Sequence, residues 1–408
     1  MQFLLRNYPA LGEPLYRRYW LASLGSVGGW QISAMAMAWL IYELSQSTLD
    51  LGILGAATAV PAILLTLVGG VIADRFEKRA VLIWTTVLNT LLLLLLALLA
   101  ATEVITVWQI WLIAGAISVV SGIDWPTRQS FFPHLIQRES LLSAVALNSV
   151  LWQATRMVLP AFGGVLIALI DIGWVFALAG AGYAIMLLVI LSIRMKLPGH
   201  ADQSALQQIA EGVRFILSEP LFRGLILLSY AAMFFLSAYM QLMPAFADLL
   251  NVGPEGFGIL MSVTGVGSIL GTVFAGSLKA GGRYGFYVVG ATIVAVIMFS
   301  MFAWATTAGS YPLSLTFITL GAMGTSVFLI LSTTAMQAKV PDRLRGRVMG
   351  IHGITYSLMP LGGLLLGAMA SSLGAPVALL VSLGLFLLVL AAVGYTQPQI
   401  VRLTQPNV

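Results

Sequence analysis

The chain has 408 residues, of which 59% are hydrophobic and 9% charged, with a mean hydropathy of +0.97. A soluble domain carries about 25% charged residues, so water is not the main solvent of this fold, and the net charge of +5 sits beside apolar runs as lipid-facing charge does, not as a nucleic-acid surface would. The absence of cysteine excludes disulfides, thiol catalysis and thiolate metal sites.

A helix crosses the hydrocarbon core with about 20 mostly apolar residues. Twelve such stretches are predicted, in chain order 19–42, 49–73, 80–101, 105–126, 142–169, 172–194, 222–247, 256–278, 284–306, 311–335, 346–370 and 375–396. Arg6, Arg17 and Arg18 precede a full-length first run with no short apolar core and small-residue cleavage site, so that run reads as a retained span. The first span carries Trp30 and Gln31. Gly70, Asp74, Arg75, Lys78 and Arg79 border the turn between the second and third spans, and Asp124 and Arg128 close the fourth. The fifth holds Asn148, Trp152, Gln153 and Arg156, then Pro160, Gly163 and Gly164. The interval 195–221 is the longest polar one; Leu206, Ile209, Val213 and Ile216 recur there at helical spacing and predict an amphipathic helix on the membrane surface. The seventh span contributes Tyr230, Tyr239 and Gln241, the eleventh His352, Tyr356 and Met359. Continuous runs such as Leu91–Leu96 contradict the alternation of a membrane β-barrel.

Nineteen of the 20 Lys and Arg residues lie in or beside every second gap, while Glu43, Asp50, Glu103, Asp171, Asp248 and Glu255 occupy the others. Positive charge is retained on the cytoplasmic side during insertion. The expected fold is therefore an all-α membrane protein of twelve transmembrane helices with cytoplasmic N and C termini. The halves repeat a polar turn followed by Pro and a Gly pair, Pro160 with Gly163 and Gly164, and Pro360 with Gly362 and Gly363. Such duplication predicts two pseudo-symmetric six-helix bundles, 1–195 and 222–408, joined by the cytoplasmic linker 196–221, with a ligand site near the midplane.

Gly70-Val-Ile-Ala-Asp74-Arg75-Phe-Glu77-Lys78-Arg79 resembles the loop signature G-x-x-x-D-R-x-G-R-R/K of the major facilitator superfamily, with Glu77 where the family usually has Gly. Trp39-Leu-Ile-Tyr-Glu, Trp125-Pro-Thr-Arg-Gln and Val340-Pro-Asp-Arg-Leu-Arg-Gly-Arg resemble the efflux branch that contains enterobactin exporters and macrolide efflux proteins. Leu159-Pro160-Ala-Phe-Gly163-Gly164 is similar to the antiporter signature G-P-x-x-G-G, with Leu159 replacing its first Gly. The resemblance implies the major facilitator fold, a bacterial inner-membrane location, and proton-coupled export of amphipathic drugs, macrolides or siderophores by alternating access. Lysophospholipid or another lipid-like molecule is the alternative substrate. It also implies that Asp74, with Arg75 and Arg79, helps close the cytoplasmic side, with Asp124 and Arg128 as neighbours. Pro160, Gly163 and Gly164 would serve bending and packing.

Arg156 lies about fourteen residues into its span, where an Arg costs roughly 2.5–3.5 kcal/mol to insert. It either faces substrate in a wet cavity or bonds backbone carbonyls. The candidate substrate-binding set is Arg156, Gln31, Trp30, Asn148, Trp152, Gln153, Tyr239, Gln241 and Tyr356. By the predicted boundaries all 15 carboxylates fall at span ends or in loops and no base lies inside the fourth span, which leaves His352 as the coupling candidate, with Glu43 and Asp124 behind it. No catalytic constellation, metal site or cofactor is expected, and the three scattered histidines argue against a membrane enzyme. The expected partners are a small amphipathic substrate, a proton and membrane lipid, around a monomer.

Overall fold

The computed structural model describes residues 8–195, 205–278 and 284–400, without the side chains of 66–75 and 205–209. Its helices are α1 (Pro14–Ser45), α2 (Thr48–Arg75), α3 (Lys78–Ala101), α4 (Val107–Phe131), α5 (Leu141–Leu169), α6 (Ile172–Ser192), α7 (Ala205–Ser218), α8 (Pro220–Ala231), α9 (Met243–Leu249), α10 (Gly253–Gly276), α11 (Tyr284–Thr307), α12 (Tyr311–Lys339), α13 (Asp342–Gly353), α14 (Thr355–Leu373) and α15 (Ala375–Thr396). Among the described residues there is no strand, and twelve spans are long and apolar enough to cross a membrane. The seventh is built from α8 and α9 and the eleventh from α13 and α14.

The chain folds as two compact units. The first draws on Met1–Ser45 and Val60–Asp202, the second on Gln46–Ala59 and Gln203–Val408. In the first unit, α1 and α6 touch backbone to backbone: a Cβ on Gly182 would stand 2.3 Å from the Gly25 carbonyl oxygen. Only glycine permits that approach. The Tyr16 hydroxyl donates to the Ala144 carbonyl at 3.0 Å, and Trp20 Nε1 to that of Leu147 at 3.1 Å, tying α1 to α5.

Helix ends are finished by side chains the sequence supplies. Glu77 is extended at the start of α3 (φ −63°, ψ 115°) and accepts from the Ala80 N–H at 2.9 Å. A glycine is therefore not needed at that turn, because a carboxylate at a helix N-terminus satisfies a free amide and meets the positive end of the dipole. Arg79 donates through Nε to the Ile190 carbonyl at 3.2 Å and through Nη2 to that of Leu191 at 3.1 Å, which caps the C-terminus of α6. Asp171 starts that helix by accepting from the Gly173 N–H at 2.7 Å.

In the second unit the amphipathic segment forms α7, as its periodicity predicts. Glu211 pairs with Arg343 at 3.4 Å and with Arg347, which docks α7 on α13. The first half of α2 also packs here: Thr48 Oγ1 donates to the Gly367 carbonyl at 3.1 Å. The seventh span is not one continuous helix. Its middle widens to a π turn over Ala232–Leu236, then tightens to a 3₁₀ turn over Ala238–Leu242. Discontinuity inside a membrane requires new partners for the freed carbonyls, and Ser382 on α15 supplies one, donating to Phe235 at 2.8 Å.

Candidate functional site

The first unit contains a buried charge pair that the predicted boundaries missed. α4 runs on to Phe131, so Arg128, beyond the predicted end at 126, lies inside the helix one turn from Asp124. Their side chains are only 11% and 12% exposed, and Arg128 Nε donates to Asp124 Oδ2. This corrects two expectations: one carboxylate and one base do lie within the fourth span. Thr85 on α3 donates to Asp124 Oδ1 at 2.6 Å, and Arg128 Nη1 reaches Ser26 Oγ on α1 at 3.3 Å. Tyr19 from α1 and Tyr183 from α6 face the same pair. Four helices thus converge on one ion pair. Asp124 and Arg128 thereby tie α1, α3 and α4 together through charge-assisted hydrogen bonds.

Beside the pair, α3 carries a polar stripe that sequence reading passed over. Thr85, Thr86, Asn89 and Thr90 are all buried, between the buried Leu82 and Leu93. Among the described residues, Thr86 Oγ1, both amide atoms of Asn89, and Arg128 Nη2 have no hydrogen-bond partner. An unsatisfied buried polar atom costs about 1–3 kcal/mol. The available signal was three threonines and an asparagine, with Thr86 three residues before Asn89 and four before Thr90, inside a leucine-rich span.

A second, more open cluster lies on α1, α4 and α5. Trp152 stands edge-on to Trp30 (ring centroids 5.9 Å, 66°) and to Trp125 (4.9 Å, 85°). Trp30 is 40% and Trp125 45% exposed, so the indoles form a surface and not a core. Gln31 Nε2 donates to Thr155 Oγ1 at 2.7 Å. Gln153 and Arg156 are exposed on α5 and Asn148 is half-buried. No hydrogen bond or ion pair engages Arg156 among the described residues. The structure therefore joins Trp30 and Trp152 with Trp125, and Gln31 with Thr155, Trp125 and Thr155 not having been singled out, while Gln153 and Arg156 are exposed on the helix that carries Trp152. Such a face offers flat π surfaces, an amide and a free guanidinium, which suit an aromatic, anionic molecule.

The remaining candidates belong to the second unit. Tyr239 is buried against Phe299 and Phe302, with centroids 4.6 and 6.2 Å away, and so serves an aromatic core. Gln241 fills the space above Gly363, where a Cβ would lie 2.4 Å from Gln241 Cγ. Tyr356 is 61% exposed. His352 is buried, with Nε2 3.1 Å from Thr333 Oγ1 and Nδ1 3.3 Å from Thr355 Oγ1. It sits where the eleventh span breaks between α13 and α14, and the Tyr230 hydroxyl donates to the neighbouring Ile351 carbonyl at 2.7 Å.

Of the candidates assigned to bending and closure, Pro160 lies within an unbroken α5, and Gly163 admits Met35 and Ile32 of α1. Gly164 is buried beside it. The side chains of Asp74 and Arg75 lie outside the described residues, whereas Arg79 is the α6 cap. An apolar groove of about 410 Å³, lined by Leu228, Val289, Ile293, Leu387, Leu390 and Ile400 among others, includes none of these candidates.

The family model for transmembrane secretion effectors matches residues 7–403. The enterobactin exporter of Escherichia coli strain K12 is 26% identical over 414 residues, covering 97% of this chain and 96% of that protein. The enterobactin exporter of Escherichia coli O1:K1 is 27% identical over 352 residues, covering 85% and 82%. Among solved structures, a bacterial homologue of the human lysosomal transporter Spinster superposes with TM-score 0.74 at 16% identity, covering 96% of this chain and 98% of the other. A point mutant of the nucleoside transporter NupG gives TM-score 0.76 at 13% identity, covering 94% and 100%.

Proposed function

Because the chain belongs to the transmembrane secretion effector family of major facilitator transporters, multi-pass proteins of the bacterial inner membrane and not enzymes, we propose that it exports an aromatic, anionic small molecule of the siderophore class in exchange for protons. Substrate meets the Trp30, Trp125 and Trp152 surface, with Arg156 taking its negative charge and Gln31 and Gln153 fixing its polar edge. The observation that carries the reading is the guanidinium of Arg156, without a partner among the described residues and one turn from Trp152 on a membrane helix. A charge left unpaired at that depth is retained for what it binds. The name of the enterobactin exporters supports the same substrate class.

Coupling falls to Asp124. Taking a proton, its carboxyl releases Arg128 and loosens the junction of α1, α3, α4 and α6; losing it, the pair closes again. That two-state junction supports alternating access in which six-helix bundles, 1–195 and 222–408, expose the site to one face at a time. Both termini and the linker lie on the cytoplasmic side.

The test is a tracer assay in proteoliposomes with a catecholate siderophore, a macrolide and a lysophospholipid, each with and without a pH gradient. Siderophore movement that follows the gradient is expected. A charged hydrogen bond is worth about 1.5–3 kcal/mol, so Arg156→Ala weakens binding roughly 10- to 150-fold, and Arg156→Lys recovers part of the loss. Unchanged siderophore affinity in Arg156→Ala removes that residue from the site. Transport of the lysophospholipid alone replaces the reading with a lipid-like substrate whose phosphate meets Arg156.

A further inference from the structure

We propose that Thr86 and Asn89 hold internal water inside the first unit, and that this water carries the proton exchanged at Asp124; the proposal rests on the reading of Asp124 as the coupling carboxylate. Asn89 is 1% and Thr86 0% exposed. Three residues apart, they share one face of α3. Asn89 Oδ1, Asn89 Nδ2 and Thr86 Oγ1 lack partners among the described residues.

The chemistry of these three atoms selects the occupant. An amide presents an acceptor and two donors, and a hydroxyl presents both. A cation would satisfy the oxygens and leave Nδ2 bare, and Arg128 nearby opposes a second positive charge. An anion would satisfy Nδ2 and oppose Asp124. Water donates and accepts at once, as these three atoms together require. The set is also placed for transfer. Thr85, adjacent to Thr86 and four residues from Asn89, donates to Asp124 Oδ1 at 2.6 Å. Four residues rise about 6 Å along a helix, the reach of two waters in series.

Among the described residues the charged and titratable groups facing Asp124 are Arg128 on its own helix, Tyr19 from α1 and Tyr183 from α6; α3 contributes Thr85, which does not titrate. The bases at the start of α3 are engaged elsewhere, Lys78 with the Ser130 carbonyl and Arg79 with those of Ile190 and Leu191. In the transfer step a water O–H bond breaks as the proton joins a carboxylate oxygen of Asp124; the water takes a replacement proton from its neighbour, and Arg128 keeps its charge.

The full-length protein in proteoliposomes with an enclosed pH dye reads substrate-driven proton movement. Asn89→Leu and Thr86→Val remove the polar partners and fill the water space. Each is expected to slow proton movement about tenfold or more, to enlarge the solvent deuterium effect, and to leave substrate affinity unchanged. Asn89→Ser keeps a donor and an acceptor with room for a second water, and is expected to restore the rate. Wild-type proton movement in both Asn89→Leu and Thr86→Val, with Asp124→Asn inactive, overturns the water path and leaves the coupling reading intact. Proton movement that persists in Asp124→Asn overturns the coupling reading and the water path together. Should Asn89→Leu fail to fold, Thr86→Val and Asn89→Ser carry the comparison.

Discussion

Replacing the buried pair by apolar side chains separates what it contributes to stability from what it contributes to transport. Asp124 and Arg128 are 11% and 12% exposed, and removing one partner of such a pair strands a charge at a cost of about 3–5 kcal/mol. Asp124→Leu should reach the upper part of that range, because Arg128 Nη2 already lacks a partner and Nε would join it. Arg128→Met should lie lower, since Asp124 keeps the hydroxyl of Thr85. The double variant carries neither charge, and Thr85 falls back on the Leu82 carbonyl at 3.2 Å. Its stability should therefore return to within about 1 kcal/mol of the parent or exceed it. Equilibrium unfolding of the purified protein in mixed micelles of mild and denaturing detergent measures all four forms. The double variant is expected to be well folded yet to transport without dependence on the pH gradient. A double variant as unstable as the sum of the two singles would refute the reasoning, because the singles would then be losing packing and not stranding charge.

Tyr230→Phe removes one neutral hydrogen bond at the break in the eleventh span, worth about 0.5–1.5 kcal/mol; amide exchange at 354–357 should quicken, and unchanged exchange there would show that the break is held by other contacts. Gly182→Ala drives a methyl to 2.3 Å from the Gly25 carbonyl oxygen and should destabilise by about 1–3 kcal/mol. Gly290→Ala has nothing within 4 Å and should be neutral or stabilise by up to about 1 kcal/mol through helix propensity; detergent unfolding of the two variants side by side checks both. Glu211→Gln breaks ion pairs whose members are 26–77% exposed, so stability should move by less than about 1 kcal/mol. A disulfide trap placed at positions 212 and 351, which touch in the structure and leave both arginines in place, should nevertheless form more slowly in that variant, and an unchanged rate would mean α7 is held by its apolar face alone.

The spans, their order and the amphipathic helix were legible because lipid imposes length and hydropathy on each segment separately, and the charge alternation is a property of the chain itself. The candidate site was legible where a residue violated its surroundings. Arg156 stands out in any apolar run, Trp152 follows from it by helical spacing, and Gln31 stands out as a polar residue of the first span. Asp124 and Arg128 were read at the end of a span drawn to 126; Pro126 lies inside α4, and the helix continues to Phe131. The Asn89 stripe escaped because Thr and Asn are individually tolerated in membrane helices; only burial and the absence of partners distinguish it. The break in the seventh span leaves almost no mark in Ala232-Met-Phe-Phe-Leu, and its compensating donor, Ser382, lies 147 residues away from Phe235.

The two units depart from a common pattern through different kinds of instability. Both retain a proline followed by a Gly pair in the equivalent helix, so that feature cannot account for any difference between them. In the first, α5 is unbroken through Pro160 and the strained element is electrostatic: a carboxylate, a guanidinium and orphaned amide atoms with little water access. In the second, Gly362 allows α14 to meet the Phe234 carbonyl oxygen so closely that a Cβ would fall 1.9 Å from it. The contact is made at the π turn of the seventh span, and the strained element is backbone, held by single hydrogen bonds from Tyr230 and Ser382. A proton can act directly on the first kind of strain, because it changes the charge that holds the helices. The titratable group at the break in the second unit, His352, contacts only the hydroxyls of Thr333 and Thr355 among the described residues, so a proton there would break no ion pair. On the proposed reading, ion coupling therefore belongs to the first unit, and the second answers by bending where its helices are already interrupted.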